Sequence, residues 1–166
     1  MAKKIPKFTY TGECATSADN TYWYIKLKSS GQLTFSYKKT VDVFLVGGGG
    51  SSGTNWACGG AGGYTTTKNG IALSAGQQVT CTVGAGQAGM ENWVSSIGTG
   101  GQSSFGSYAS ANGGQNGTSD GKGGNGGCGG GGYTDNDAGN GGSDGGDGAG
   151  GSDGRIGGTG QHTSTR

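Results

Sequence analysis

Glycine supplies 44 of the 166 residues, proline one, and hydrophobic residues only 29%. That leaves too little apolar material for a core spanning the whole chain, and it excludes collagen, which needs abundant proline beside strict Gly-X-Y repeats. The formal net charge of +1 divides unevenly: in 1–46 seven lysines face Glu13, Asp19 and Asp42, whereas in 112–166 Lys122, Arg155 and Arg166 face six aspartates. The lysines come without the arginine cluster that phosphate recognition favours, so nucleic acid is not an expected partner.

The start, MAKKIPKFTYTGE, has no apolar h-region, so no secretory signal is expected. No window is apolar enough for a membrane span. Four cysteines at 14, 58, 81 and 128 are too few and too scattered for a disulfide scaffold.

Residues 8–46 read as strands. In Thr21–Lys28 the residues Trp23, Ile25 and Leu27 share one face, and Tyr22, Tyr24, Lys26 and Lys28 the other. This two-residue period is the mark of a half-buried strand. Gln32–Tyr37 alternates again, with Leu33, Phe35 and Tyr37 expected inward. Val41–Val46 is nearly continuous and β-branched, which predicts a central strand.

The strand pattern resumes over 64–83, with a turn at Ser74–Gly76. Val79, Cys81 and Val83 share a face, so Cys81 is expected to be a small core residue rather than a reactive thiol. Ser103–Phe105 and Ser107–Ala111 are short candidate strands. No stretch carries a helical period.

Beyond residue 111 the hydrophobic residues are Cys128, Tyr133, Ala138, Ala149 and Ile156, too few for a side-chain core. Yet the glycines keep phase. Every third residue from Gly139 to Gly160 is glycine, and 121–132 reads GKGGNGGCGGGG. Three residues per turn is the period of a polyproline-II-type helix, which makes no internal hydrogen bonds. Glycine lets such strands approach closely enough to bond one another through the backbone. The expected fold is all-β: a small, jelly-roll-like β-sandwich combined with a bundle of polyglycine-II helices and no significant α-helix. The sandwich is expected over 1–111 with glycine-rich insertions at 47–63 and 84–102, and the bundle over 112–166.

Phase also predicts sides. Lys122, Asn125 and Cys128 fall on one edge of their strand, and Asp144, Asp147 and Asp153 on one edge of theirs. CGGAGGYT at 58–65 is echoed by CGGGGYT at 128–134, which predicts an equivalent role at two places; a Cys58–Cys128 disulfide is the minor alternative.

Signals for chemistry are weak. G-x-G-x-x-G matches arise by chance at this glycine frequency. Asp135-Asn136-Asp137 opens like a calcium loop, but position twelve would be Gly146, with no carboxylate to close it. His162 is the single histidine and reads as a polar terminal residue. No catalytic residue, metal site or cofactor is expected, with structural calcium weighed as a minor alternative. The residues singled out for binding are Asn55 and Trp56, Asn92 and Trp93, and Tyr133 and Asp135. They sit in short polar stretches between glycine runs, where rigid aromatics on a stiff scaffold can stack on a sugar ring.

The ordered series FTYTG (8–12), YIKLKSSGQLTFS (24–36), VDVFLVGGGG (41–50), GGYT (62–65), LSAGQQVTCTVGAG (73–86), SSFGS (103–107) and ANGG (111–114) resembles the glycine-rich domain of bacteriophage tail-fibre and tail-tip proteins. The resemblance implies a β-sandwich with loops expanded into polyglycine-II strands. It also implies a non-enzymatic role in the virion, attaching to a host-surface glycan or protein and contacting other tail proteins. Family members often close on an apolar strand of the type GIVIR. This chain ends in QHTSTR, so either it is a fragment or a sheet position is left open or filled by another chain, and oligomerisation or self-assembly is expected. The other reading is a purely structural, self-assembling fibre subunit.

Overall fold

The computed structural model describes residues 2–52, 58–89, 98–118 and 122–132. Among them it is all-β, with no helix. Nine strands form: β1 (Phe8–Tyr10), β2 (Cys14–Ala18), β3 (Trp23–Leu27), β4 (Gly31–Phe35), β5 (Lys39–Val46), β6 (Thr65–Leu73), β7 (Gln78–Thr82), β8 (Ser103–Phe105) and β9 (Ala109–Ala111). One antiparallel sheet runs in the order β1-β4-β7-β8-β9; β2-β3 and β5-β6 are separate antiparallel pairs.

The two-residue alternation explains the sandwich. Leu33, Phe35, Val79, Cys81 and Phe105 come from the five-stranded sheet, and Val41, Ile71 and Leu73 from the β5-β6 pair; together they form the buried core. Trp23, Ile25 and Leu27 pack against it from β3. Phe35 is the centre, with Trp23 edge-on at 5.8 Å between ring centroids and Phe8 at 6.2 Å.

Three strand readings need correction; Val83, read as sharing the face of Val79 and Cys81, lies past the end of β7 at Thr82 and is 37% exposed. Val41–Val46 is not a central strand: β5 pairs only with β6 and alternates, leaving Phe44 39% and Val46 50% exposed. Its outward Phe44 and Val46 are as apolar as its inward Val43 and Leu45, so composition hid the alternation there. Tyr37 is not inward either. β4 ends at Phe35, and Tyr37 is 68% exposed in the bend that follows.

Turn chemistry holds the register. Ser74–Gln77 is a turn closed by Gln77 N–H on Ser74 O, with Gly76 at φ +74°, the left-handed conformation that glycine adopts at no steric cost. In β6 the residues Asn69 and Gly70 lie opposite the single Asp42, a bulge in which Gly70 N–H donates to the Asp42 carboxylate at 2.8 Å.

The glycine runs build the second half of the molecule. Seven extended segments follow the strands: I (47–52), II (58–64), III (84–89), IV (98–102), V (112–118), VI (122–127) and VII (128–132). On segment I the N–H groups of Gly47 and Gly50 donate to Tyr64 and Ala61 of II, and those of Gly48 and Ser51 donate to Gly101 and Gly98 of IV. The carbonyls of Gly48 and Ser51 accept from Gly114 and Gly117 of V, and that of Gly49 accepts from Gln87 of III. Partners therefore change with residue phase modulo three. A β-strand bonds sideways to two neighbours with period two; bonding outward in several directions with period three is polyglycine-II geometry.

The remaining bonds complete a hexagonal arrangement of two rows. III, I, II and VII lie side by side in one row, and IV, V and VI in the other. Every adjacent pair is joined, including II to V (Ala61 to Gln115, Tyr64 to Asn112), V to VI (Gln115 to Asn125) and VI to VII (Gly130 to Gly124). As the phase predicts, Gly124, Gly127 and Gly130 are buried, whereas Lys122 is exposed and Asn125 and Cys128 are half-buried. The two echoed sequences are direct neighbours, bonded antiparallel at Gly59–Gly131 and Gly62–Cys128.

Close approach makes glycine necessary at particular positions of this lattice. A β-carbon on Gly113 would run into the Gly100 carbonyl, whereas one on Gly131 would meet nothing within 4 Å. Gly113→Ala is therefore expected to cost about 1–3 kcal/mol, typical of overpacking, and Gly131→Ala less than about 0.5 kcal/mol. Thermal melts of the two variants beside the wild type check this contrast.

Candidate functional site

The lattice has two unlike ends. At one end segments I to V run directly into or out of the sandwich: Val46 leads into Gly47, Tyr64 into β6, Gln102 into β8, and β9 into Asn112. At the other end lie Ser51, Gly59, Gly98, Gly117 and Gly131. Ser51 joins three of these segment ends, donating its N–H to Gly98 O, accepting from Gly117 N–H, and receiving Gly98 N–H on its hydroxyl at 3.0 Å. Gly59 N–H donates to Gly131 O beside them, and Thr118 N–H to Lys122 O. Segments I, III, V and VII leave the described residues at this far end, and II, IV and VI enter from it.

The residues singled out for binding, Asn55, Trp56, Asn92, Trp93, Tyr133 and Asp135, all lie outside the described residues. So do Asp144, Asp147, Asp153 and His162. Their flanking anchors are described, and these bring the 52–58, 89–98 and 132–133 junctions to the same end of the lattice. Among the described residues no group of three or more His, Cys, Asp or Glu side chains could hold a metal ion, and no helix is long and apolar enough to cross a membrane.

A second feature escapes any single motif. Segments IV and V carry an exposed polar side chain at every third position, Thr99 and Gln102 on one and Asn112 and Gln115 on the other. Together with Tyr64 they line an open groove of about 370 Å³. Its buried glycines, Gly100 and Gly113, leave backbone where side chains would otherwise stand. The signal was present in the three-residue spacing of these amides within glycine runs, but it has meaning only once IV and V are known to be neighbours.

None of the four cysteines is in a disulfide. Antiparallel pairing of II with VII sets Cys58 level with Gly132 and Cys128 level with Gly62. The two thiols are thus four residues apart along the strands, about 12 Å at 3.1 Å per residue, too far for a disulfide. Cys128 instead lies over Gly62, its Sγ 2.8 Å from the point where a β-carbon on that glycine would stand. Cys81 is 2% exposed, and burial pushes its thiol from 9.0 up to about 11.

That shift has two consequences. At pH 8 the Cys81 thiolate is roughly a hundredfold rarer than in an unperturbed cysteine, so Cys81 is no nucleophile. Because the folded value is the raised one, its contribution to stability is complete below pH 9 and is lost as pH rises through 11. Alkylation with iodoacetamide at pH 8, read by peptide mass spectrometry, is expected to modify the half-buried Cys14 and Cys128 first. Cys81 and the buried Cys58 should react only once the protein unfolds.

Residues 28–166 match the family model described as a glycine-rich domain. No curated protein and no solved structure matches the chain. The match takes in β4 to β9 and all seven lattice segments, and on it the chain belongs to the glycine-rich domain family.

Proposed function

We propose that this chain is a non-enzymatic component of a bacteriophage tail fibre or tail tip, working in the virion, where it attaches to a host-surface glycan or protein. The observation that carries the reading is the common end of the lattice. Segments I to V are anchored in the sandwich at one end, the aromatic-bearing stretches 53–57 and 90–97 connect to the far ends of I to IV, and the one opening at Tyr133 follows VII, which ends beside Gly59 of II. A backbone lattice is a stiff support that does not depend on the sequence of its connections. Those connections are then free to vary in sequence, and binding residues concentrate in such places. Trp56, Trp93 and Tyr133 are the aromatic anchors of this reading, with Asn55, Asn92 and Asp135 as polar partners. It needs no cofactor.

The test is retention of the purified protein on whole cells from a panel of bacterial strains. The wild type is compared with the double variant Trp56→Ala plus Trp93→Ala, whose lattice residues are untouched. Binding to some strains, weakened at least tenfold in the variant, is the expected result. Equal retention of both proteins removes the tryptophan-bearing stretches from the attachment role, and retention of neither removes that role altogether.

A second reading is a self-assembling fibre subunit. Among the described residues the outer segments III and VII have neighbours on one side of their row, and polyglycine-II strands can bond further strands on the other. Electron microscopy separates the two readings: discrete particles are expected for attachment, filaments for assembly.

A further inference from the structure

The groove between segments IV and V runs along the side of the lattice, from Gln102 and Asn112 near the sandwich to Thr99 and Gln115 toward the far end. We propose that it is a binding subsite for a neutral oligosaccharide, separate from the aromatic-bearing stretches and independent of them.

Four observations converge on that ligand. The groove, at about 370 Å³, falls within the ~300–1,000 Å³ of small-molecule sites. No charged side chain lines it, which disfavours phosphates, nucleotides and acidic sugars. Its polar groups are amides and hydroxyls from Gln102, Asn112, Gln115, Thr99 and Tyr64. An amide offers donors and an acceptor together, which is what a sugar hydroxyl, itself donor and acceptor, requires.

The groups are also arranged for such a ligand. Gln102 Nε2 donates to Asn112 Oδ1 at 2.8 Å, so the two amides hold each other across the groove. That bond leaves the Gln102 carbonyl and the Asn112 NH₂ to face a ligand. The Gln115 amide and the Tyr64 hydroxyl make no hydrogen bond among the described residues. Along each segment the side chains recur every three residues, about 9 Å apart. That step is wider than one sugar ring, so the fit is to a chain of sugars lying along the groove. Tyr64 supplies an aromatic ring with a polar tip, suited to a sugar that is apolar on its face and polar at its rim.

The experiment is titration of the ¹⁵N-labelled full chain with maltotetraose, cellotetraose and chitotetraose, with sialyllactose as the acidic control. Three further proteins are titrated alongside: Gln102→Ala plus Asn112→Ala, Gln115→Ala, and Trp56→Ala plus Trp93→Ala. The altered groove residues are exposed, so the melts should stay close to wild type. Expected are shifts of the Gly100 and Gly113 amides with at least one neutral tetrasaccharide, affinity at least tenfold weaker in the groove double variant, and unchanged affinity in the tryptophan variant. Binding by none of the neutral sugars, preference for sialyllactose, or loss only in the tryptophan variant would each overturn the subsite. Loss of cell retention in the tryptophan variant with groove binding intact leaves the subsite standing, so the two proposals fail separately.

Discussion

Everything in the second half of this molecule depends on one interaction, the backbone hydrogen bond made in several directions from a single extended strand. Each N–H···O=C bond is worth only about 0.5–1.5 kcal/mol net, and glycine loses more conformational freedom on ordering than any other residue. An isolated glycine strand therefore cannot stay ordered. Segment I stays ordered because four neighbours hold it: II and IV take its N–H groups, and V and III donate to its carbonyls. The arrangement is cooperative, since removing one strand strips partners from several others.

The lattice continues the strand neighbourhoods of the sandwich and is not merely attached to it. β5 contacts β8 and β9, and β6 contacts β9, across the two layers. Their continuations repeat the same neighbourhoods: I bonds IV and V, and II bonds V. Side-chain burial holds the strands together as β-structure, and where the sequence turns to glycine the same strands close up and change from period two to period three. Ser103 stands at the change. It is 4% exposed, its hydroxyl donates to Val46 O at 2.6 Å, and it receives Gly84 N–H at 2.9 Å. One side chain thus ties the starts of I and III to β8 where the sheet register ends.

Legibility in the sequence follows from this division. Where side chains alternate, as in Trp23–Leu27, Gln32–Phe35 and Gln78–Thr82, face and core could be read directly. Where both faces are apolar, as at Phe44 and Val46, alternation vanished and β5 read as central. Tyr37 misled because an alternating pattern was carried past Phe35 into a bend. In the glycine runs, phase revealed the buried and exposed sides of 122–132, because a three-residue period is local. Which segment lies beside which was not legible. Glycine has no side chain to encode a partner, so that information resides in the sandwich strands at the lattice base.

The same reasoning explains why the groove is hidden in the sequence while the aromatics are plain. A tryptophan between glycine runs is conspicuous by itself. Thr99, Gln102, Asn112 and Gln115 are ordinary singly, and become a surface only when IV and V are set side by side with these residues outward. In a lattice of this kind the inward positions are closed to any residue but glycine wherever a carbonyl faces the missing β-carbon, as Gly100 O faces Gly113. Large or polar side chains are thereby favoured at outward positions, as on IV and V, and in the connections between segments, while the few buried non-glycine residues, Ser51, Cys58 and Ala61, are small. Recognition on such a scaffold has two places to reside, the outward rows and the far end, and it can change in either without disturbing the backbone bonds that hold the lattice together.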